Sequence, residues 1–329
     1  MLNDQGFQKR IGYLGDLKPL LSKVCASYQI GDYLTHSVIL MGYEDLNLIV
    51  ETSRQKFFVK IFAKFRDGEN CQRLIDIIIA ARHVGVDQPE IYPSYDGKFL
   101  YKTDINGTPI RLCVMQYING KTFYESESKP NEKEAKAIIE DAVKINSIYL
   151  KPSFVYDSWA IVNFLKEYGQ KKQYLEENEK LIMDKLAEEF SSLSIQDLPH
   201  CFVHGDLIKT NIMRDNDTDH LYILDYSVAN LYPRIQEIAV LLCDFLFDKD
   251  NLSDFGKVYE MTINEYQKHD KLEEVELKTL PLFVKLAHAM HVLCATYEKK
   301  VKNNQTKEND YFMKLGRIGL SYTNNRWKC

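Results

Sequence analysis

The chain has 329 residues, 45% hydrophobic and 27% charged, with a formal net charge of −5. This is the balance of a soluble globular enzyme of one or two domains, and its sign argues against nucleic acid or an anionic membrane as the main partner. The seven cysteines form no CxxC pair, so they read as reduced thiols of a cytoplasmic protein and not as a disulfide framework or a zinc site.

The stretch MLNDQGFQKR has no apolar core of the kind a signal peptide needs. No run of about 18 consecutive apolar residues predicts a membrane helix. No internal repeat is found. Leu20, Leu21, Val24, Cys25 and Tyr28 fall at helical spacing, predicting a helix over 17–30. Tyr33 to Met41, Leu46 to Glu51 and Lys56 to Phe62 read as strands, with a turn at Gly42, Tyr43, Glu44 and Asp45. Lys60 is the only charge in the run from Phe57 to Phe62. A lysine among hydrophobic residues either snorkels to water or has a fixed anionic partner. An apolar helix is predicted over 69–84. Asp96-Gly97 and Asn106-Gly107 bracket strands near 98–103 and 109–116. The N-terminal part is then a sheet of about five antiparallel strands with one packed helix.

Beyond residue 118 the composition turns helical. Over 132–149, Ile138, Ala142, Ile145 and Tyr149 share one face. Further amphipathic helices are predicted at 159–168, 174–190, 253–268, 273–300 and 309–320. His288 and His291 lie one helical turn apart with no third ligand in view, which reads as a packed pair and not a metal site.

Residues 201–225 are the informative stretch. The apolar run Cys201-Phe202-Val203 ends abruptly in His204-Gly205-Asp206, and Asn211 follows. Ile212-Met213 starts a second strand, Asp215 to Thr218 is rich in turn-formers, and Leu221 to Leu224 leads to Asp225. A hairpin centred near Thr218 sets 211 roughly opposite 225. A carboxamide and a carboxylate side by side make a hard-oxygen set suited to Mg²⁺ carrying a nucleotide phosphate. A second carboxylate nearby, Asp206, can accept a proton from an attacking hydroxyl. Phosphoryl transfer needs these parts.

The pattern His204-x-Asp206-x4-Asn211, then a strand ending in Asp225, resembles the catalytic and metal-binding segments of the protein-kinase-like superfamily. The form His204-Gly205-Asp206 resembles its small-molecule branch, which holds aminoglycoside phosphotransferases, choline kinases and homoserine kinases. The resemblance spans about residues 33–245. It implies an α+β, two-lobed protein-kinase-like fold: a small antiparallel β lobe over 1–117 and a large, mainly helical lobe over 118–329, with ATP between them. It implies Asp206 as catalytic base, His204 as the prop of its loop, Asn211 and Asp225 as Mg²⁺ ligands and Lys60 as the phosphate-binding lysine. Gly42 and Asn47 would belong to the phosphate loop. Met115 would wall the adenine pocket, and Gln116 and Ile118 would hold the base through backbone groups. Lys209 either touches the γ-phosphate or faces solvent. In the family an acid on the helix over 69–84 pairs with the lysine, and the candidates are Asp76 and then Glu69. Asn146 stands where the family has a histidine, and Ser227 where it has a second acid or a glycine. Glu237, where relatives carry Asp, is expected to brace the catalytic loop by accepting backbone N–H bonds.

The function this implies is transfer of the ATP γ-phosphate to a hydroxyl of a small molecule: an amino alcohol, an amino acid such as homoserine, or an aminoglycoside. Asp244, Asp248 and Glu298, with the acidic balance of the chain, point to a cationic acceptor. A protein kinase fits less well, because Pro233 and a helix follow Asp225 too soon for a peptide-docking loop. A nucleotide-binding pseudokinase acting as an interaction module is the alternative from another class, and turnover with a panel of hydroxyl compounds separates the two.

Overall fold

The computed structural model describes residues 4–40 and 44–327. The chain forms two compact units: one of residues up to His83, Asp87–Gly120 and Asp215–Tyr222, the other of Val84–Val86, Lys121–Arg214 and the chain from Ile223 onward.

The first unit opens with helices α1 (Asp4–Gln8) and α2 (Lys18–Tyr28). Pro19 sits in the first turn of α2, where its missing N–H has no intrahelical partner to lose. Strands β1 (Tyr33–Val38), β2 (Leu46–Thr52), β3 (Lys56–Ile61), β4 (Ile91–Tyr92), β5 (Tyr101–Ile105) and β6 (Thr108–Gln116) make an antiparallel sheet, with helix α3 (Gly68–His83) between β3 and β4. The order is β1-β2-β3-β6-β4, with β5 on β6. β2 alternates as a one-sided strand should: Leu46, Leu48 and Val50 are buried. They share a core with Val59, Leu112 and the inner face of α2. The sheet exceeds the expected five strands by β4, whose two residues are too few to show an alternation. Asn106 and Gly107 both have positive φ (51° and 81°), the backbone a tight two-residue hairpin turn demands. β5 starts at Tyr101 and not at 98, because 94–98 closes a turn of its own through Ser94 and Lys98.

The second unit is mainly helical. Along the chain come β7 (Gly120–Thr122), α4 (Glu132–Asn146), α5 (Phe164–Lys171), α6 (Glu177–Ser191), β8 (His200–Val203), β9 (Ile212–Asp215), β10 (Leu221–Ile223) and β11 (Asn230–Pro233), of which Gly120, Asp215, Leu221 and Tyr222 are counted with the first unit. Helices α7 (Ile235–Cys243), α8 (Phe255–Tyr266), α9 (Glu274–Lys300) and α10 (Lys307–Arg326) follow. Asn131 caps α4 in a capping box with Glu134. Tyr149 is 98% exposed, beyond the end of α4 and not on its buried face as expected. Residues 147–160 hold no helix or strand, so α5 begins later than the amphipathic pattern suggests.

α9 is the core helix. Among the described residues only this helix is long and apolar enough to cross a membrane, yet 83% of its apolar window is buried inside the protein. α10 lies so close to it that a Cβ on Gly319 would stand 2.1 Å from the His288 ring, and one on Gly316 would stand 2.9 Å from the His288 carbonyl. The His288 and His291 rings flank the Cys243 thiol at 3.2 and 3.5 Å, and among the described residues no group of three ligating side chains could hold a metal.

Candidate active site

In the first unit β3 carries Lys60, which is only 7% exposed and stands opposite Asn47 in the sheet register. Its ammonium lies 3.4 Å from the Asp45 carboxylate. Asp45 also accepts the Ala63 N–H at 2.9 Å and Arg66 Nε at 3.1 Å. The expectation of a partner on α3 is corrected here. Asp76 is exposed and accepts Gln72 Nε2 at 2.9 Å, and Glu69 is exposed in the first turn. The reason is helical geometry: Leu74, Ile75, Ile77 and Ile78 take the buried face and turn Asp76 outward. The Asn47 Oδ1 atom is buried with no hydrogen-bond partner among the described residues. Gly42 lies outside the described residues. On β6, Met115 pairs across the sheet with Phe58 and Ile91. The Gln116 N–H is committed to the Glu90 carbonyl at 2.7 Å and so is not available for a base. Ile118 is buried.

In the second unit β8 delivers its last apolar side chain, Val203, to the core and breaks at Gly205, whose φ of +81° an L side chain adopts only with strain. Glu237, fully buried on α7, accepts the N–H groups of His204 at 2.9 Å and of Gly205 at 3.0 Å, the expected brace. Burial pushes its carboxyl up to about 7, against the pull of those two N–H bonds. The His204 Nδ1 accepts the Asp206 N–H at 3.2 Å, and its Nε2–H donates to the Leu224 carbonyl at 3.1 Å. Both nitrogens are used by a neutral ring, which packs against the Tyr226 ring at 4.6 Å between centroids with the planes tilted by 51°.

Burial lowers the His204 pKa from 6.5 to about 4. The unfolded chain therefore takes up this proton from pH 6.5 downward and the folded protein only near 4. Stability from this residue is present above the upper value and falls as pH drops through the window. The full difference is on the order of 3 kcal/mol. The denaturant midpoint of the wild type should drop more between pH 6.5 and 4 than that of His204→Gln. Parallel curves would count against the assignment.

Asn211 Nδ2 donates to the Asp206 carboxylate at 2.6 Å and to its carbonyl at 3.0 Å. That leaves the carboxamide oxygen of Asn211 as its ligating atom. The Leu224 N–H donates to the Asn211 carbonyl at 2.8 Å, and Asp215 closes the hairpin on His220, so 211 and 225 are neighbours as the count expects. Asp225 has φ +57°, and its Oδ1 accepts the Ser227 N–H at 3.1 Å. A carboxamide oxygen and a carboxylate so joined fit a hard divalent cation. Burial raises the Asp206 pKa well above the ordinary value, and the negative charges of Asp157 and then Asp225 add to it.

The residues around this loop are placed differently from expectation. Asp244 is fully buried and accepts the Lys209 N–H at 2.7 Å and the Tyr311 hydroxyl at 3.2 Å, so it shapes the loop. The Lys209 ammonium donates to the Phe247 carbonyl at 3.3 Å. Asp248 pairs with Lys129 at 2.7 Å and Glu298 with Lys302 at 2.6 Å. Asn146, in the family's histidine position, spans the Phe202 carbonyl at 2.9 Å and the Tyr266 hydroxyl at 2.7 Å, tying α4 and α8 to β8. Asp157 was not singled out from the sequence. It lies in an irregular segment, and no spacing marks it.

The match to known proteins agrees with this geometry. The model of the phosphotransferase enzyme family matches residues 35–274. A homoserine kinase of Rhodopseudomonas palustris (strain HaA2) is 23% identical over 272 residues, covering 80% of this chain and 79% of that one. The structure of a microcompartment-associated aminopropanol kinase superposes with a TM-score of 0.70 at 14% identity, over 93% of this chain and 96% of the other. An amicoumacin kinase in complex with AMP-PNP, Ca²⁺ and Ami gives 0.68 at 15%, over 98% and 96%. The α+β, protein-kinase-like fold is theirs. Because the family match runs from β1 to the start of α9 and takes in both Lys60 and the Asp206 loop, the chain belongs to the phosphotransferase enzyme family.

Proposed function

We propose that the protein is an ATP- and Mg²⁺-dependent kinase that phosphorylates a hydroxyl of a small, positively charged molecule. The observation that carries the reading is the Asp206 carboxylate, half-buried, raised in basicity and held by Asn211 on the hairpin that also bears Asp225. In this reading Asp206 accepts the proton of the acceptor hydroxyl as its oxygen attacks phosphorus. Asn211 and Asp225 would hold Mg²⁺, which when bound neutralises phosphate charge. Lys60, kept in place by Asp45, takes phosphate oxygens. Rotation of the Asn47 amide would turn its Nδ2 toward a phosphate and satisfy the buried group. The Gln116 carbonyl and Ile118 N–H would hold adenine, with Met115 as its wall. His204 does no proton transfer; its neutral ring links the Asp206 N–H to the Leu224 carbonyl. Lobes of 1–117 and 118–329 and a cytoplasmic location complete the proposal, supported by the six free cysteines among the described residues. Homoserine and aminopropanol, named in two of the relatives, both carry an ammonium group beside the hydroxyl, homoserine together with a carboxylate, which supports an acceptor that bears an ammonium group.

The test is ATP consumption over amino alcohols, hydroxy-amino acids, sugars and aminoglycosides. The acceptor KM of a cationic substrate held by carboxylates should rise with salt at saturating ATP, because the Debye length shrinks from about 10 Å at 0.1 M to about 3 Å at 1 M. A neutral best acceptor, or a KM indifferent to salt, would remove the charge from the proposal and keep the kinase.

A further inference from the structure

Against the irregular segment 147–160 lies a buried ion pair that phosphoryl transfer does not use. Lys171 on α5 is 7% exposed, and its ammonium lies 2.6 Å from the Glu167 carboxylate, one helical turn back. The same ammonium donates to the Cys294 Sγ on α9 at 3.4 Å and stands 5.0 Å from the centre of the Tyr297 ring. Cys294 is 1% exposed, and its thiol donates to the Ser158 carbonyl at 3.1 Å. Among the described cysteines it is the one whose sulfur accepts a hydrogen bond from a lysine. An amine, a thiol and a carboxylate thus meet out of contact with bulk water.

Two of these groups also hold the segment. Cys294 holds Ser158, and Glu167 accepts the Tyr156 hydroxyl. The buried Asn230 side chain adds a third tie: its Oδ1 accepts the Val155 N–H at 3.3 Å and its Nδ2 donates to the Val155 carbonyl at 2.8 Å. Trp159 follows and packs on the cluster of Ile208, Ala295 and Phe312. Ile208 is two residues beyond Asp206, and Ala295 is next to Cys294. The state of this thiol is therefore felt by a segment that packs against the catalytic loop.

Burial pushes the Cys294 thiol up to about 12, against the pull of the Lys171 charge. The thiolate is the reactive form, so oxidation waits on a local opening that admits water and oxidant. Ser158 lies in irregular backbone, whereas Lys171 and Cys294 lie on helices, so such an opening leaves nitrogen and sulfur in contact. We propose that Lys171 and Cys294 form a peroxide-driven, thiol-reversible sulfur–nitrogen cross-link, and that its formation releases the segment around Ser158 from α9. In the first step hydrogen peroxide converts the thiol to a sulfenic acid: an S–O bond forms, the O–O bond breaks, and the peroxide is reduced to water. In the second step the Lys171 ammonium gives one proton to Glu167, and its lone pair attacks sulfur. The S–O bond breaks, and the departing hydroxide takes a second proton from nitrogen and leaves as water. The product is a sulfenamide. Two equivalents of thiol return it to the amine and the thiol, and are themselves oxidised to a disulfide. The bridged sulfur has no hydrogen left to give Ser158, and Glu167 loses its cation.

The experiment treats the folded full-length chain with hydrogen peroxide, blocks free thiols with N-ethylmaleimide and digests it for mass spectrometry. The expected product joins the peptides of Lys171 and Cys294 with two hydrogens fewer than the two apart, and dithiothreitol separates them. Lys171→Arg keeps the charge beside Glu167 and should give no cross-link. Its Cys294 should stop at the sulfenic acid, which dimedone captures. Chymotrypsin should cut the cross-linked protein after Tyr156 or Trp159 roughly 2- to 10-fold faster than the reduced protein, the worth of one lost hydrogen bond when cleavage follows the open population. Cys294→Ala should show the faster cleavage without peroxide and no further gain with it. Dimedone capture at Cys294 in the wild type without a cross-link overturns the proposal. So does a Cys294 that stays free at peroxide sufficient to oxidise the half-buried Cys201. An equal yield of cross-link from protein unfolded in urea also overturns it, because the folded geometry is then not what joins the two atoms. A cross-link that leaves the cleavage rate unchanged overturns the release of the segment. No readout here uses phosphoryl transfer, so these outcomes stand apart from the test of the kinase.

Discussion

Asp206→Asn should lower turnover by roughly 10²–10⁴-fold, the usual worth of a positioned general base, with ATP affinity nearly unchanged. The substitution is close to isosteric. Its carbonyl oxygen still accepts from Asn211 Nδ2, which now lies 2.6 Å from the carboxylate. The backbone bonds to His204 and Asn211 do not involve the side chain. What is lost is the capacity to take a proton. Turnover near the wild-type level, with a sound fold, would remove Asp206 from the role of base.

Asp225→Ala should abolish the Mg²⁺-dependent part of stabilisation by ATP. A ligand at a hundredfold excess over its Kd stabilises a protein by about 2.7 kcal/mol, so the loss is plain in Tm measured with ATP, with and without Mg²⁺. One confounding effect must be separated. Asp225 has φ +57°, where alanine is strained and asparagine is tolerated. Asp225→Asn therefore keeps the backbone and tests the charge alone. If both variants retain the wild-type Mg²⁺ increment, the pairing of Asn211 with Asp225 at a metal is wrong.

The legible parts of the chain are those where local chemistry and pairing agree. The hairpin could be counted from its turn residues, and the count lands within one residue of the observed bond from Leu224 to Asn211. Glu237 was legible through the family resemblance, because relatives carry Asp at its place. Asp45 was missed, although the same arithmetic was available. Strands over 46–51 and 56–62 already set Asn47 opposite Lys60, which puts Asp45 on the same face one step along. The family pattern points to α3 instead, where helical periodicity turns Asp76 out to solvent. β4 and the segment 147–160 were illegible for a different reason. Neither has a period, and their order comes from distant side chains such as Asn230 and Cys294. Asp157 lies in the second of them, so its placement depends on contacts that no sequence window contains.

The close fit of α10 on α9 has a consequence for how the chain is made. α9 leaves the ribosome before the helix that covers it. Until Lys307–Arg326 arrives, 27 residues of membrane-like composition have their Gly316- and Gly319-facing side uncovered. Such an intermediate is a natural client for chaperones and a natural seed for aggregation. Premature termination in the connection before Lys307 would yield a product with both catalytic segments already synthesised and the covering of α9 missing. Translation that is slow or incomplete over the α10 codons would show as insoluble or degraded protein, whatever the state of the active-site residues.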